Sequence, residues 1–246
     1  MKNRTNVMGL GGQNDRITVY DWLRLIATIF VVIGHSAYLT IKTTYGGVAY
    51  ELPTNVNHIY SSAVLTWLRF LSGWVYGFHM PLFFMLSGAV FGLKPVANFD
   101  HIVTGKIKRL LIPYFVYGWL FMLPVKRLGN FYDNESLKSA LKGFLSGTDS
   151  GHLWFLTALF WCILIFALIL KGLDKIGIKS IYAPFFITGI IYFTYGVLPF
   201  DILGLKTGMS YMIYFGIGYA FEKERKSHEK WNMRKTILGY AILVFL

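Results

Sequence analysis

Asp21, Arg24 and His35 share a single apolar run, YDWLRLIATIFVVIGHS. At the centre of a bilayer an ionisable side chain costs about +2.5 to +3.5 kcal/mol on insertion scales, so each one calls for a reason. Asp21 and Arg24 are three residues apart, neighbours on a helix and able to neutralise each other. Arg24 and His35 are 11 apart. That spacing returns them to within about 20° of one helical face, separated by roughly 16 Å along the axis. An imidazole, with an ordinary pKa of about 6.5, takes and returns a proton near neutrality, as a general base acting on a hydroxyl must. The plainer reading of the same residues is an interfacial ion pair, with His35 bonded to a carbonyl of a neighbouring helix.

Two further histidines, His79 and His152, are expected at the outer ends of their own spans, in the same layer as His35. His79 opens FHMPLFFMLSG and His152 opens GHLWFLTALFW, with Trp154 two residues further on. No carboxylate stands beside these histidines at metal-ligand spacing, so no metal site is expected. Lys106, Lys108 and Arg109 cluster in GKIKRLLIPYF. They suit anionic lipid headgroups, or the phosphates of a nucleotide-like donor, to which arginine offers a planar fork and lysine a point charge. Ser87, Gly88 and Gly92 are small residues in one apolar run; they fit close helix packing, or space for a narrow ligand arm.

These residues need elements to hold them, and composition says which. The 246 residues are 55% hydrophobic and only 15% charged, yet carry a formal net charge of +12. A soluble domain is about 25% charged, so lipid is the expected solvent, and a nucleic-acid partner is excluded because its protein would be rich in polar surface. The single cysteine, Cys162, rules out an intramolecular disulfide and a thiolate zinc site. Residues 1–16 are polar, and the apolar run that follows is too long for the core of a cleavable signal, so it reads as a first membrane span.

The expected fold is all-α, a polytopic transmembrane helical bundle. Spans are predicted at 19–39, 78–93, 110–124, 152–170, 181–198 and 208–221, with residues 57–77 lying along the outer interface as a lead-in to the second. A truncated seventh span is expected at 236–246. With residues 1–18 as a cytoplasmic tail and one span between 57 and 93, sixteen of the 24 Lys+Arg fall on the inner side and six on the outer. A second span there would reverse that balance, against the positive-inside rule. The outer connection 125–151 contains the possible short helix NESLKSALKGFL and is long enough to cover a site.

Taken in order, DWLRLIATIFVVIGHS with its Arg24 and His35, FHMPLFFMLSG, KIKRLLIPY and HLWFLTALF resemble the acyltransferase family 3 membrane proteins. The resemblance implies a multi-pass bacterial inner-membrane O-acyltransferase, its domain covering 19–246 and incomplete at the C-terminal end. It implies transfer of an acyl group, commonly acetyl, from acyl-CoA (acetyl-CoA) in the cytoplasm to a hydroxyl of a surface glycan or lipid-linked sugar outside. On that reading His35 is the base and Arg24 its catalytic partner. Lys106, Lys108 and Arg109 are expected to bind donor phosphates, and the donor's thiol arm to thread beside the small residues of the second span. His79, His152 and Trp154 are expected at the acceptor. A transporter or flippase of glycan precursors, and an inactive remnant, stand as the alternatives; oligomeric state is left open.

Overall fold

The structure, a computed structural model, describes residues 18–36, 43–45, 48–50, 62–93, 98–128, 137–148, 150–227 and 239. Helix α1 is Thr18–Ser36, 19 residues with Asp21 in its first turn. A short antiparallel hairpin follows, β1 (Thr43–Tyr45) against β2 (Val48–Tyr50), with Thr43 opposite Tyr50 and Tyr45 opposite Val48. These strands are an addition to the expected all-α fold, and everything else regular among the described residues is helical.

Helix α2, Ser62–Leu93, joins residues 62–77 of the expected lead-in and the expected span at 78–93 in one element. Its 32 residues form one unbroken helix, about 48 Å long against a hydrocarbon core of about 30 Å. The sequence between 62 and 77 contains no helix breaker beyond isolated glycines, and Pro81 is accommodated inside the helix.

A second long rod runs through α3 (Phe99–Lys106), α4 (Ile112–Tyr117) and α5 (Leu123–Leu128), joined by π-helical turns at Ile107–Leu111 and Gly118–Met122. Each turn has the same cause. Pro113 and Pro124 lack the N–H that an α-helix would direct at the carbonyl four residues back. The residue just before each proline instead reaches five back: Ile112 N–H donates to the Ile107 carbonyl and Leu123 N–H to that of Gly118. The extra residue widens the turn into a π-bulge.

Helix α6, Leu137–Ser146, is the short helix expected in the connection. It lies on the rod through Phe144, whose ring stacks on Tyr114 at 4.8 Å and whose carbonyl accepts the Tyr114 hydroxyl at 2.6 Å. Gly118 makes room for that ring, which occupies the place of a Cβ.

A 3-10 turn at Gly151–Leu153 leads into α7, Trp154–Lys175. The helix ends where Gly177 adopts φ +74°, Ile178 N–H reaching the Leu173 carbonyl and Gly177 N–H that of Asp174. This is the pairing of a Schellman cap. Helices α8 (Ala183–Thr194), α9 (Leu205–Ser210) and α10 (Met212–Ser227) complete the described bundle.

Among the described residues, two stretches are long and apolar enough to cross a membrane, Gly73–Leu93 and one within Lys138–Lys175 that contains α7; the apolar helix Ala183–Val197 is shorter. The expected seventh span lies outside the described residues, apart from Gly239.

Helix α2 is the hub: α1 packs on it and α10 packs across it, α8 backs α10, and α7 holds α9 and the first π turn. The α2–α10 crossing brings backbones into contact, because a Cβ on Gly88 would overlap the backbone of Phe215 and one on Gly218 that of Met85. A Cβ on Gly92 would meet Tyr219 and Glu222. The small residues of this run therefore serve close packing. The passage for a ligand arm expected beside them is closed by α10, and Ser87 bonds back to the Phe83 carbonyl at 2.8 Å.

Candidate functional site

Helix α1 carries the Arg24 and His35 stripe. Tyr20 and Ala27 mark its packed side, buried against Leu82, Met85, Leu86 and Ala89 of α2, while Leu25, Ile29 and Val32 mark its open side. Asp21 and Arg24 form the expected pair, N to O 4.0 Å, with side chains 37% and 44% exposed. His35 lies in the last turn of α1, by register about 20° from Arg24 around the helix; its side chain is outside the described residues. Phe30 meets Phe78 at 5.2 Å and Trp74 at 6.3 Å, so the turns of α1 after Phe30 run beside the part of α2 that precedes Phe78.

What anchors α1 at its other end was not expected from the sequence. Glu222, on α10, is completely buried. Its carboxylate accepts the hydroxyl proton of Tyr20 and a two-pronged contact from Arg225, Nε to Oε2 and Nη2 to Oε1, both 2.7 Å. A buried carboxylate is tolerable only when paired and fully hydrogen-bonded, and this one is. The bond to Glu222 holds the Arg225 guanidinium above its ordinary pKa. Burial pulls Lys223 below its own, helped by the neighbouring charge of Lys226 and opposed by Glu222. Lys226 reaches back to the last carbonyl of α2, Leu93, at 2.7 Å. Nothing in EKERKSHEK distinguishes one interior carboxylate from a solvated run; the only cue was the three-residue spacing of Glu222 and Arg225.

The predicted donor-binding cluster sits on the rod, just before its residues 110–124. Lys106 ends α3, and Lys108 and Arg109 lie exposed on the first π turn. The rod packs on α7 whereas α1 packs on α2, so the cluster and Arg24 belong to different helix pairs. One helical turn before Lys106, Ile102 lines a cavity of about 590 Å³, together with Phe99, Asp100, Lys171, Lys179 and Tyr219. Lys171 Nζ lies 5.3 Å above the Phe99 ring.

His79, expected at the outer end of its span, instead sits well inside α2 and is 3% exposed. Its Nδ1 is 2.8 Å from the Val75 carbonyl, so the tautomer that donates there carries its lone pair on Nε2. His152 is exposed on the 3-10 turn at the start of α7. Trp154 is half-buried, its ring 5.6 Å from Tyr211, which in turn stacks on Phe84 of α2 at 4.4 Å. The structure thus ties Trp154 to α2 through an aromatic stack at the end of α7 opposite the 590 Å³ cavity. Among the described residues no group of three His, Cys, Asp or Glu side chains is placed to hold a metal ion.

Comparison with known proteins adds two findings. A family model described as an acyltransferase domain matches residues 17–246. Nodulation protein NolL of Sinorhizobium fredii is 28% identical over 161 residues, covering 65% of this chain and 37% of that protein. No solved structure matches.

Proposed function

The chain belongs to the acyltransferase-domain family that its residues 17–246 match, and from that premise we propose that it is a membrane O-acyltransferase. It moves an acyl group, acetyl in the first instance, from acyl-CoA on the cytoplasmic side of a bacterial inner membrane to a hydroxyl of an extracytoplasmic glycan. The observation that carries this reading is the register of α1: within the family domain, one 19-residue helix carries Arg24 and His35 at a spacing of 11 residues, positions that fall within about 20° of each other around its axis. The sixteen-to-six division of basic charge supports a cytoplasmic N-terminus and six spans.

In the reaction, His35 takes the proton of the acceptor hydroxyl as its oxygen attacks the thioester carbonyl. The carbon–sulfur bond breaks, and the imidazolium returns the proton to the departing thiolate, so that an ester and free CoA are the products. Arg24 sits at the Glu222 end of the stripe, where a positive charge favours the donor's phosphates, and Asp21 balances it when the donor is absent. Lys106, Lys108 and Arg109, on the rod, offer a second set of cations to those phosphates. The cavity one turn from Lys106 supports donor entry from this side. His152 and Trp154, at the opposite end of α7, border the acceptor, and His79 stands on the neighbouring stretch of α2.

The test is acetyl transfer from labelled acetyl-CoA to envelope glycan in membranes, comparing the native chain with His35→Ala at matched protein levels. Loss of a general base lowers transfer by about 10²- to 10⁴-fold; undiminished transfer removes His35 from the chemistry. For the basic cluster, affinities for CoA and dephospho-CoA are compared in Lys106→Ala and Arg109→Ala; unchanged affinity for both assigns those residues to the lipid surface.

A further inference from the structure

Helix α8 and the 3-10 turn Tyr195–Val197 that follows it divide their large side chains between two sides. Phe186, Ile190, Phe193 and Val197 form one stripe, each more than 60% exposed, the side expected to face lipid. Tyr192 and Tyr195 lie away from that stripe, on the side turned toward α10. There the Tyr192 ring is 6.2 Å from Tyr195 and 6.4 Å from Tyr214, Tyr214 is 6.0 Å from Tyr211, and Tyr211 is 5.6 Å from Trp154. Five rings, from three helices, the 3-10 turn after α8 and the residue joining α9 to α10, thus form one continuous row, ending beside the turn that carries His152.

The polar tips of this row are unspent. Among the described residues none of the four tyrosine hydroxyls, nor the Trp154 indole N–H, has a hydrogen-bond partner; the buried Tyr219 has none either, whereas Tyr20, Tyr114 and Trp161 do. Buried or half-buried tyrosine and tryptophan ordinarily find a partner for that group. All five side chains are half-buried, neither sealed in the core nor fully open. Interfacial anchoring to lipid does not account for them, because the exposed stripe of α8 is a different set of residues.

We propose that this row is the binding subsite for the acceptor glycan: its aromatic faces pack on the C–H surfaces of successive pyranose rings, and the Tyr192, Tyr195, Tyr211 and Tyr214 hydroxyls and the Trp154 N–H bond the hydroxyls of those rings. A flat ring edged with donors and acceptors is the ligand shape that satisfies both features at once. The subsite rests on the reading of the protein as a glycan O-acyltransferase, and it deepens that reading by naming residues that select the acceptor and do no chemistry on it.

The experiment measures saturation transfer by NMR from the full chain in lipid nanodiscs to methyl β-glucopyranoside, methyl β-galactopyranoside and methyl N-acetyl-β-glucosaminide, with cyclohexylmethanol as the control of similar size. The double variant Tyr192→Phe/Tyr214→Phe keeps both rings and deletes two hydroxyls that bond nothing in the protein, so its thermal stability stays at the native value. At least one glycoside is saturated above the control, and the double variant weakens that signal by about tenfold. Tyr182→Phe, which removes a hydroxyl bonded to Glu224 at the other end of α8, leaves it unchanged. No glycoside above the control, or equal saturation in the double variant, overturns the subsite. If the native chain transfers acyl groups but the double variant has an unaltered acceptor KM, the subsite fails and the enzyme stands. If the tyrosines bind glycoside while labelled acetyl-CoA gives no ester, the enzyme fails and the subsite stands.

Discussion

Glu222 shows how a single buried residue can fix the end of the helix that carries the proposed catalytic stripe. Tyr20 precedes Arg24 by one turn of α1, so the Tyr20–Glu222–Arg225 network fixes the end of the helix from which the stripe begins. Deleting one partner leaves the others buried and unmatched. Arg225→Met removes the guanidinium from a carboxylate with no exposure, and about 3 to 5 kcal/mol of stability goes with it. Thermal unfolding in detergent checks this: a clear fall in Tm is expected, and an unchanged Tm contradicts the network's role. The residues of the stripe were legible in the sequence because ionisable groups stand out in an apolar run. Glu222 was not, since a glutamate among lysines and arginines has the pattern of a solvated face until a tertiary fold turns it inward. The tyrosine row was invisible for a related reason, as its members at 192, 195, 211 and 214 meet only when α8 packs on α10.

At the scale of elements, the α2–α10 crossing is the most demanding contact. Gly88 and Gly218 let two backbones touch, and a side chain at either position collides with backbone that cannot rotate away. Gly88→Val is expected to cost about 1 to 3 kcal/mol or more. Gly73→Ala, with nothing within 4 Å of the new Cβ, gains up to about 1 kcal/mol from helix propensity. Opposite shifts of Tm check the pair, and a Gly88→Val protein as stable as the native chain would contradict the crossing. Helix positions were largely readable: α7 begins two residues after the predicted start and runs five further, to where Gly177 supplies the left-handed cap. The continuity of the lead-in with α2 was not legible because an interfacial segment and a helix share the same apolar and aromatic composition. The hairpin is not among the expected elements although Thr43–Tyr45 and Val48–Tyr50 flank Gly46 and Gly47, because two three-residue strands give a weak signal beside long apolar runs. Pro113 and Pro124 were plain in the sequence, but their conversion of the rod into two π turns depends on which carbonyls each missing N–H abandons.

For the whole molecule, the mechanism requires two ends with different tasks: a basic end holding Glu222, Lys106 and the cavity near Lys171, and an aromatic end holding His152, Trp154 and the tyrosine row. Helix α7 connects them, and its orientation is open to direct measurement. In a Cys162→Ser background, which keeps a donor for the Gly208 carbonyl, a membrane-impermeant maleimide is expected to label Ser180→Cys from the cytoplasmic face and Lys138→Cys from the outer face. Labelling of both from one side would refute the topology and the route from donor to acceptor. The net charge of +12 takes its meaning from this division, since most of it sits at the end assigned to the cytoplasm.

The most direct measurement of acyl transfer across the bundle uses inside-out membrane vesicles given labelled acetyl-CoA on their exposed cytoplasmic face, with base-labile label then counted on glycan in the lumen. The mechanism predicts ester label in the lumen with the native chain and its reduction by about 10²-fold or more with His35→Ala. Lumenal glycan that stays unlabelled with the native chain, or label that His35→Ala leaves unchanged, would contradict it.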